Sequence, residues 1–109
     1  MNLIGNQVKR FGISGHISAA NADRLAQELQ TAVKTQDYTV FIVDMAGVDF
    51  IDSTGLMTLV SACRHAREMG RRFCLSTLGP SVRIVIELTG LDNVFEIIDE
   101  PTRFEAFAA

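Results

Sequence analysis

The sequence is poor in the residues that build disulfide frameworks and metal sites. Its 109 residues include no Trp, two Pro and two Cys. Cys63 and Cys74 do not form a Cys-x-x-Cys pair, so we expect free, reduced thiols. The two histidines, His16 and His65, have no Cys or acidic arrangement at ligand spacing around them. The sequence therefore predicts neither a metal site nor a bound cofactor.

Excess positive charge and long apolar segments are also lacking. The formal net charge is −3, whereas a nucleic-acid-binding domain needs a basic stripe to neutralise phosphates. The strongest apolar run, residues 40–43, is far shorter than the ~20 residues that span a bilayer. The first ten residues lack the apolar core of a signal peptide. We expect a cytoplasmic domain with protein partners, no direct contact with nucleic acid and no membrane insertion.

The composition that remains is that of a globular protein. Hydrophobic residues make up 48% of the sequence and charged residues 21%, close to the averages for soluble domains. A chain of 109 residues can bury one core without metals or disulfides, and it shows no internal repeat or low-complexity linker. The sequence predicts a single domain over residues 1–109.

The spacing of apolar residues along the sequence alternates between the patterns typical of strands and of helices. Residues 38–45 are β-branched and aromatic with almost no alternation, which is typical of a strand covered on both faces. From Ala22 to Val33 apolar residues recur every three or four positions, which predicts an amphipathic helix with Ser18 or Asn21 as its N-cap. The same spacing recurs in the segment after Asp52. The predicted strands are 8–17, 38–45, 71–77 and 93–99, with a loop over 46–52.

Proline and glycine decide the one ambiguous segment. Residues 81–90 fit both periods, and Pro80 before them with Gly90 at their end favours a helix. The predicted helices then begin at Ala19, near Ser53, after Pro80 and at Pro101, the last covering 101–107. Regular alternation of strands and helices predicts an α/β fold with a mostly parallel sheet. In such sheets, ligands and partners meet the chain at the carboxyl ends of the strands.

The polar cluster Asp52-Ser53-Thr54-Gly55 lies at such an end, between the central strand and the second helix. Ser53 falls at the N-cap or first turn, where a hydroxyl can satisfy a free backbone N–H, and capping alone would explain it. The cluster nevertheless has more polar groups than capping requires. A phosphate on Ser53 would lie where backbone N–H groups and the helix dipole favour anions. Both interpretations stay open at this point.

Enzymatic interpretations of the acidic residues are weaker. Asp-Ser-Thr-Gly has one residue more than the Asp-Thr-Gly of aspartic proteases, and the alternating pattern is not that of their all-β fold. Asp44, Asp49 and Asp52 have no further ligand group at metal-binding spacing. The basic stretch 64–72 is typical of a helix C-terminus. A small hydrolase or nucleotide-binding enzyme remains the alternative from another class, and we predict no catalytic residue.

Two residues of the second helix extend the polar cluster. Met57 lies one turn beyond Ser53 and off the apolar stripe, on the same side as Ser61. An exposed methionine beside a switchable serine suits an adaptable protein-binding surface, although packing under a neighbouring loop would explain it equally well.

Two segments carry a family resemblance. Residues 42–56, a strand followed by Asp-Ser-Thr-Gly-Leu, and residues 89–97, "TGLDNVFEI", are similar to the STAS domain. The free-standing form resembles the anti-sigma factor antagonists of bacteria, and the similarity covers about residues 8–107. It implies a STAS-type fold, a single layer of mixed, mostly parallel sheet with flanking helices.

The resemblance also implies a function. In the family, a serine kinase of the histidine-kinase-like fold phosphorylates the serine after the motif's aspartate, which abolishes binding, and a phosphatase reverses this. The acceptor would be Ser53, with Thr54 as a second site. The unphosphorylated protein would bind the kinase, an anti-sigma factor, and release a sigma factor. Some STAS domains are instead unphosphorylated scaffold subunits of stress-signalling or lipid-transport complexes, and a homodimer is an alternative assembly. Together with the second-helix residues singled out above, we expect the partner surface to comprise Asp52, Ser53, Thr54, Gly55, Met57 and Ser61.

Overall fold

The computed structural model describes residues 7–35 and 37–99. Within these residues strands and helices alternate as predicted, and a short 3-10 turn, Leu91–Asn93, precedes the last strand. The predicted helix over 101–107 lies outside the described residues. The elements are β1 Val8–Ile17, α1 Ala22–Lys34, β2 Val40–Ile51, α2 Ser53–Glu68, β3 Arg72–Ser76, α3 Pro80–Leu88 and β4 Glu96–Ile98.

The sheet confirms the predicted α/β fold. Its four described strands are all parallel and follow the order β1-β2-β3-β4. Consecutive parallel strands joined by right-handed crossovers place every connecting helix on the same face. The packing agrees, because buried residues of all three helices join one core with Phe41, Val43 and Leu75 of the sheet. A row of aromatic rings, from Phe11 through Phe41 and Phe73 to Phe95, crosses this face.

Strand β2 is covered on both faces, as its unbroken apolar run predicted. Phe41 and Val43 point into the main core, whereas Val40 and Ile42 join Cys74 in a second, smaller cluster. All four β2 residues are buried. A strand with both faces covered has no polar positions, which explains the lack of alternation.

The prediction that β2 ends at residue 45 was wrong. The strand continues to Ile51 by pairing with β1, so that the segment predicted as a loop is mostly strand. Two register shifts insert extra residues in β2, which uses 12 residues beside 10 of β1. Beyond Asp44, its last pair with β3, the strand has one neighbour only in the described sheet. The bulges and exposed edge leave an irregular pattern that resembles a loop.

Helix α1 begins at Ala22, three residues after the predicted start at Ala19, so of the two predicted N-cap residues it is Asn21 and not Ser18 that occupies the position. Residues 18–21 form a turn in which Asn21 N–H donates to Ser18 O at 3.0 Å. Asn21 occupies the N-cap position, but its side-chain oxygen accepts from Ser18 N at 2.9 Å instead of capping the helix. We call residues 18–21 the β1–α1 loop. The last strand is also shorter than the predicted 93–99, because residues 91–93 form the 3-10 turn.

Candidate functional site

Helix α2 begins directly after the end of β2, and Asp52 is its N-cap. The Asp52 Oδ1 atom accepts a hydrogen bond from Gly55 N at 2.9 Å, and its carbonyl oxygen accepts from Leu56 N at 2.9 Å. Ser53 is therefore the first residue of the helix. The hypothesis that Ser53 caps α2 was wrong, because the carboxylate of the preceding residue satisfies the first-turn N–H group.

The hydroxyl of Ser53 is available for chemistry. Ser53 is exposed, and among the described residues its side chain makes no hydrogen bond. Thr54 is exposed as well, and its carbonyl oxygen accepts from the Thr58 hydroxyl one turn later, at 3.1 Å. The start of α2 thus presents two adjacent hydroxyl groups to solvent.

Gly55 positions this turn against the sheet. The residue is buried, and a Cβ atom at position 55 would lie 2.7 Å from Ile17 Cγ2 and 2.9 Å from Ile17 O. Real Cβ atoms do not approach other atoms so closely, so any larger residue at this position would force the helix start away from β1. Gly55 therefore lets the start of α2, which carries Ser53 and Thr54, pack closely against Ile17 at the end of β1.

Exposed apolar side chains flank the two hydroxyl groups. Met57 is 60% exposed, one turn after Ser53, and Phe50 is 53% exposed at the end of β2. Ser61, a further turn along α2, is half-buried, as is Asp52. Sequence reasoning left Phe50 out of the site. Its exposure follows from the β2 bulges, which place both Val48 and Ile51 in the core, and no regular period in the sequence indicates that arrangement.

The remaining groups that could do chemistry lie elsewhere or are unreactive. Burial raises the pKa of the Cys63 thiol, and it raises that of Cys74 to about 12. Both thiols are free and buried. A cavity of about 220 Å³ between β1 and α1 is lined by residues such as Ser14, His16 and Arg24. None of the predicted partner residues lines it.

The described residues hold neither a cluster of metal-ligating side chains nor a membrane-spanning helix. In the described ranges, no three His, Cys, Asp or Glu side chains are grouped so that they could hold a metal ion. No helix within those ranges has the length and apolar character that crossing a bilayer requires.

These features define a class of protein: a small parallel α/β domain that presents hydroxyl and apolar groups where the longest strand passes into a helix. The STAS domain family matches residues 5–103, and the chain belongs to that family. BtrV of Bordetella bronchiseptica, named as an anti-sigma factor antagonist, is 29% identical over 85 residues. The alignment covers 78% of this chain and 72% of BtrV.

Solved structures show the same fold in proteins of two kinds. An anti-sigma factor antagonist from Mycobacterium paratuberculosis superposes with a TM-score of 0.80 at 26% identity, covering 93% of this chain and 85% of that one. A sulfate transporter family protein from Wolinella succinogenes gives a TM-score of 0.77 at 25% identity, covering 93% and 84%. The predicted resemblance to STAS domains is confirmed.

Proposed function

We propose that this domain is an anti-sigma factor antagonist switched by phosphorylation of Ser53. In its unmodified form it binds an anti-sigma factor that is a serine kinase, and a sigma factor is thereby released. Phosphate on Ser53 abolishes the binding, and a serine phosphatase restores it. The domain itself is not an enzyme and acts in the cytoplasm. The observation that carries the proposal is the exposed Ser53 hydroxyl, free of hydrogen bonds among the described residues.

The start of α2 can accept a phosphate without loss of the fold. Ser53 is the first helical residue, where backbone N–H groups point outward and the helix dipole favours negative charge. A phosphoserine adds about −1.5 to −2 charges at neutral pH. Since Ser53 is exposed, this charge stays in solvent in the free domain. Thr54, exposed beside it, is the second candidate acceptor.

The same phosphate would be costly inside an interface. Met57 and Phe50 are the exposed apolar groups that a partner would cover, with Asp52, Thr54 and Ser61 at the edge of the contact. Gly55 is buried and contributes by setting the position of the turn. Covering a doubly charged group without a matching cation removes its hydration, and a penalty of about 3 kcal/mol lowers affinity roughly a hundredfold.

The test uses the purified domain and each candidate serine kinase of the source organism, with ATP. Mass spectrometry that resolves the modified residue should find phosphate on Ser53, and Ser53→Ala should abolish it. Binding of the kinase should be kept by Ser53→Ala and lost by Ser53→Asp. Thr31→Asp, on the exposed side of α1, is the matched control for added charge. Equal binding by wild type, Ser53→Asp and phosphorylated protein would refute the switch.

A second candidate function rests on the likeness to the sulfate transporter family protein. A STAS domain of that kind would be a constitutive scaffold within a larger complex, and Ser53 would remain unmodified. Phosphate-free Ser53 in cells under all growth conditions, with one partner retained by Ser53→Ala and Ser53→Asp alike, would favour the scaffold. The phosphorylation experiment therefore separates the two candidates.

A further inference from the structure

The two carboxylate oxygens of Asp52 bind different parts of the chain. Oδ1 accepts from Gly55 N in the first turn of α2 at 2.9 Å. Oδ2 accepts from Ala19 N in the β1–α1 loop at 3.2 Å. The backbone N–H of Asp52 also donates to Ile17 O at 3.0 Å. One side chain thus joins the turn that carries Ser53 to a loop more than thirty residues earlier in the sequence.

The other polar bonds of the loop are local. Ser18 N donates to Asn21 Oδ1 at 2.9 Å, and Asn21 Nδ2 donates to His16 O at 2.8 Å. Ala20 N lies 3.3 Å from Ser18 Oγ. These bonds shape the loop from within. The hydrogen bond from Ala19 N to Asp52 differs from these, because it connects the loop to the N-terminus of α2.

Phosphate on Ser53 would act on both bonds of Asp52. Ser53 is the residue next to Asp52, so the phosphate brings a second anion beside the carboxylate. Phosphate oxygens at this position also compete for the first-turn N–H groups, including that of Gly55. A carboxylate is a rigid planar group. Rotation that releases Gly55 therefore also displaces the oxygen that accepts from Ala19.

We propose that Asp52 is a positioning residue that couples the modification state of Ser53 to the conformation of the β1–α1 loop. With unmodified Ser53, the loop is held against the first turn of α2. With phosphoserine, the bond to Ala19 is lost and the loop separates from that turn. The coupling rests on the proposed function, because it requires that Ser53 is phosphorylated. The conformation of the β1–α1 loop would then differ between the two states of Ser53.

The direct test is amide NMR of the whole domain with phosphoserine incorporated at position 53 during synthesis. We expect the Ala19 amide signal to shift and its hydrogen exchange to accelerate relative to unmodified protein. The amide of Thr31, on the exposed side of α1, should not change. An Ala19 signal that is the same with serine and phosphoserine overturns the proposal.

Two substitutions remove the Ala19 bond by different routes. Asp52→Asn keeps a good N-cap oxygen for Gly55 but offers an NH₂ group, instead of an acceptor, to Ala19. Ala19→Pro removes the donor itself. Ala19 is the second residue of the 18–21 turn, a position that proline favours, so the turn should persist. Asp44→Asn is the matched control, because within the described part of the chain that carboxylate accepts only from the nearby Ala46 N, at 3.0 Å.

The two variants test whether this bond links position 53 to the loop. In both, the loop should be released already with unmodified Ser53, so the Ala20 amide should exchange faster than in Asp44→Asn, and phosphoserine should change its exchange no further. Both should also lower the urea midpoint, because a charge-assisted hydrogen bond of the free domain is lost. Wild-type exchange of Ala20 in both variants would overturn the proposal. If phosphoserine moves the Ala19 signal but leaves kinase binding unchanged, the proposed function fails and the coupling stands. If phosphoserine abolishes binding without moving Ala19, the proposed function stands and the coupling fails.

Discussion

The guanidinium of Arg71 lies over the ring of Tyr38, 4.2 Å from the ring centroid, and both side chains bind the same carbonyl oxygen. Val33 O accepts from the Tyr38 hydroxyl at 2.5 Å and from Arg71 Nη1 at 3.0 Å. Arg71 also donates to Thr35 O at 2.7 Å. The basic stretch 64–72 was predicted to complement a helix C-terminus. Arg71 does so for α1, which is remote in sequence, and attaches the start of β3 to it.

Arg71→Lys should destabilise the domain by about 1–2 kcal/mol, because an ammonium cannot stack on the Tyr38 ring while bonding both carbonyl oxygens. Urea unfolding of wild type and variant measures the difference. Arg64→Lys is the control, since Arg64 is an exposed residue of α2. Equal losses for the two variants would contradict a specific role for Arg71.

Gly55→Ala should cost about 1–3 kcal/mol of unfolding free energy although alanine is the better helix former. The added Cβ would lie 2.7 Å from Ile17 Cγ2, so the helix start must shift away from β1. Gly12→Ala in β1 is the reference, because nothing lies within 4 Å of its added Cβ. If Gly55→Ala is as stable as Gly12→Ala, the close packing is not required.

Met57→Glu should weaken binding of the serine kinase by roughly tenfold or more while leaving stability unchanged, because a charge replaces an apolar contact in the interface. Leu88→Glu, on α3, makes the same change at a residue that is 82% exposed and outside the proposed surface. Titration by calorimetry gives both affinities. Loss of binding by Leu88→Glu and not by Met57→Glu would place the interface on α3 instead.

The stability of the domain should fall in alkaline solution as the buried thiols ionise in the unfolded chain. Burial raises the pKa of Cys74 from 9.0 to about 12, so the folded state keeps a proton that the unfolded state loses. This contribution is complete below pH 9 and is lost as the pH rises towards 12. Unfolding in urea should show a slope of up to about 1.4 kcal/mol per pH unit from this thiol.

Cys74→Ala separates that slope from the titration of other groups. The variant should be less stable at every pH, because it leaves a cavity, but its decline above pH 9 should be shallower than that of the wild type. Folded wild-type protein should also resist iodoacetamide at pH 8, since both thiols are buried. Parallel pH curves for the two proteins would show that Cys74 does not contribute.

Local patterns in the sequence were sufficient for most of the fold. The i, i+3, i+4 spacing located α1 and α2, and the unbroken apolar run located the centre of β2, because burial on one or both sides selects residue types directly. Pro80 and Gly90 identified α3 correctly; Pro80 begins the helix, and Gly90 has a positive φ of 77° just after it. The position of Ser53 at the start of a helix also followed from local pattern.

Only the tertiary structure decided how the candidate site is assembled. The extension of β2 to Ile51 depends on pairing with β1, the exposure of Phe50 depends on the bulges in that pairing, and the close approach of Gly55 depends on Ile17. The link from Asp52 to Ala19 joins residues that no periodicity relates. The residue type at each position indicates whether that position is buried or exposed. These contacts depend instead on the distances between segments remote in sequence, and these distances are set only when the helices and strands pack together.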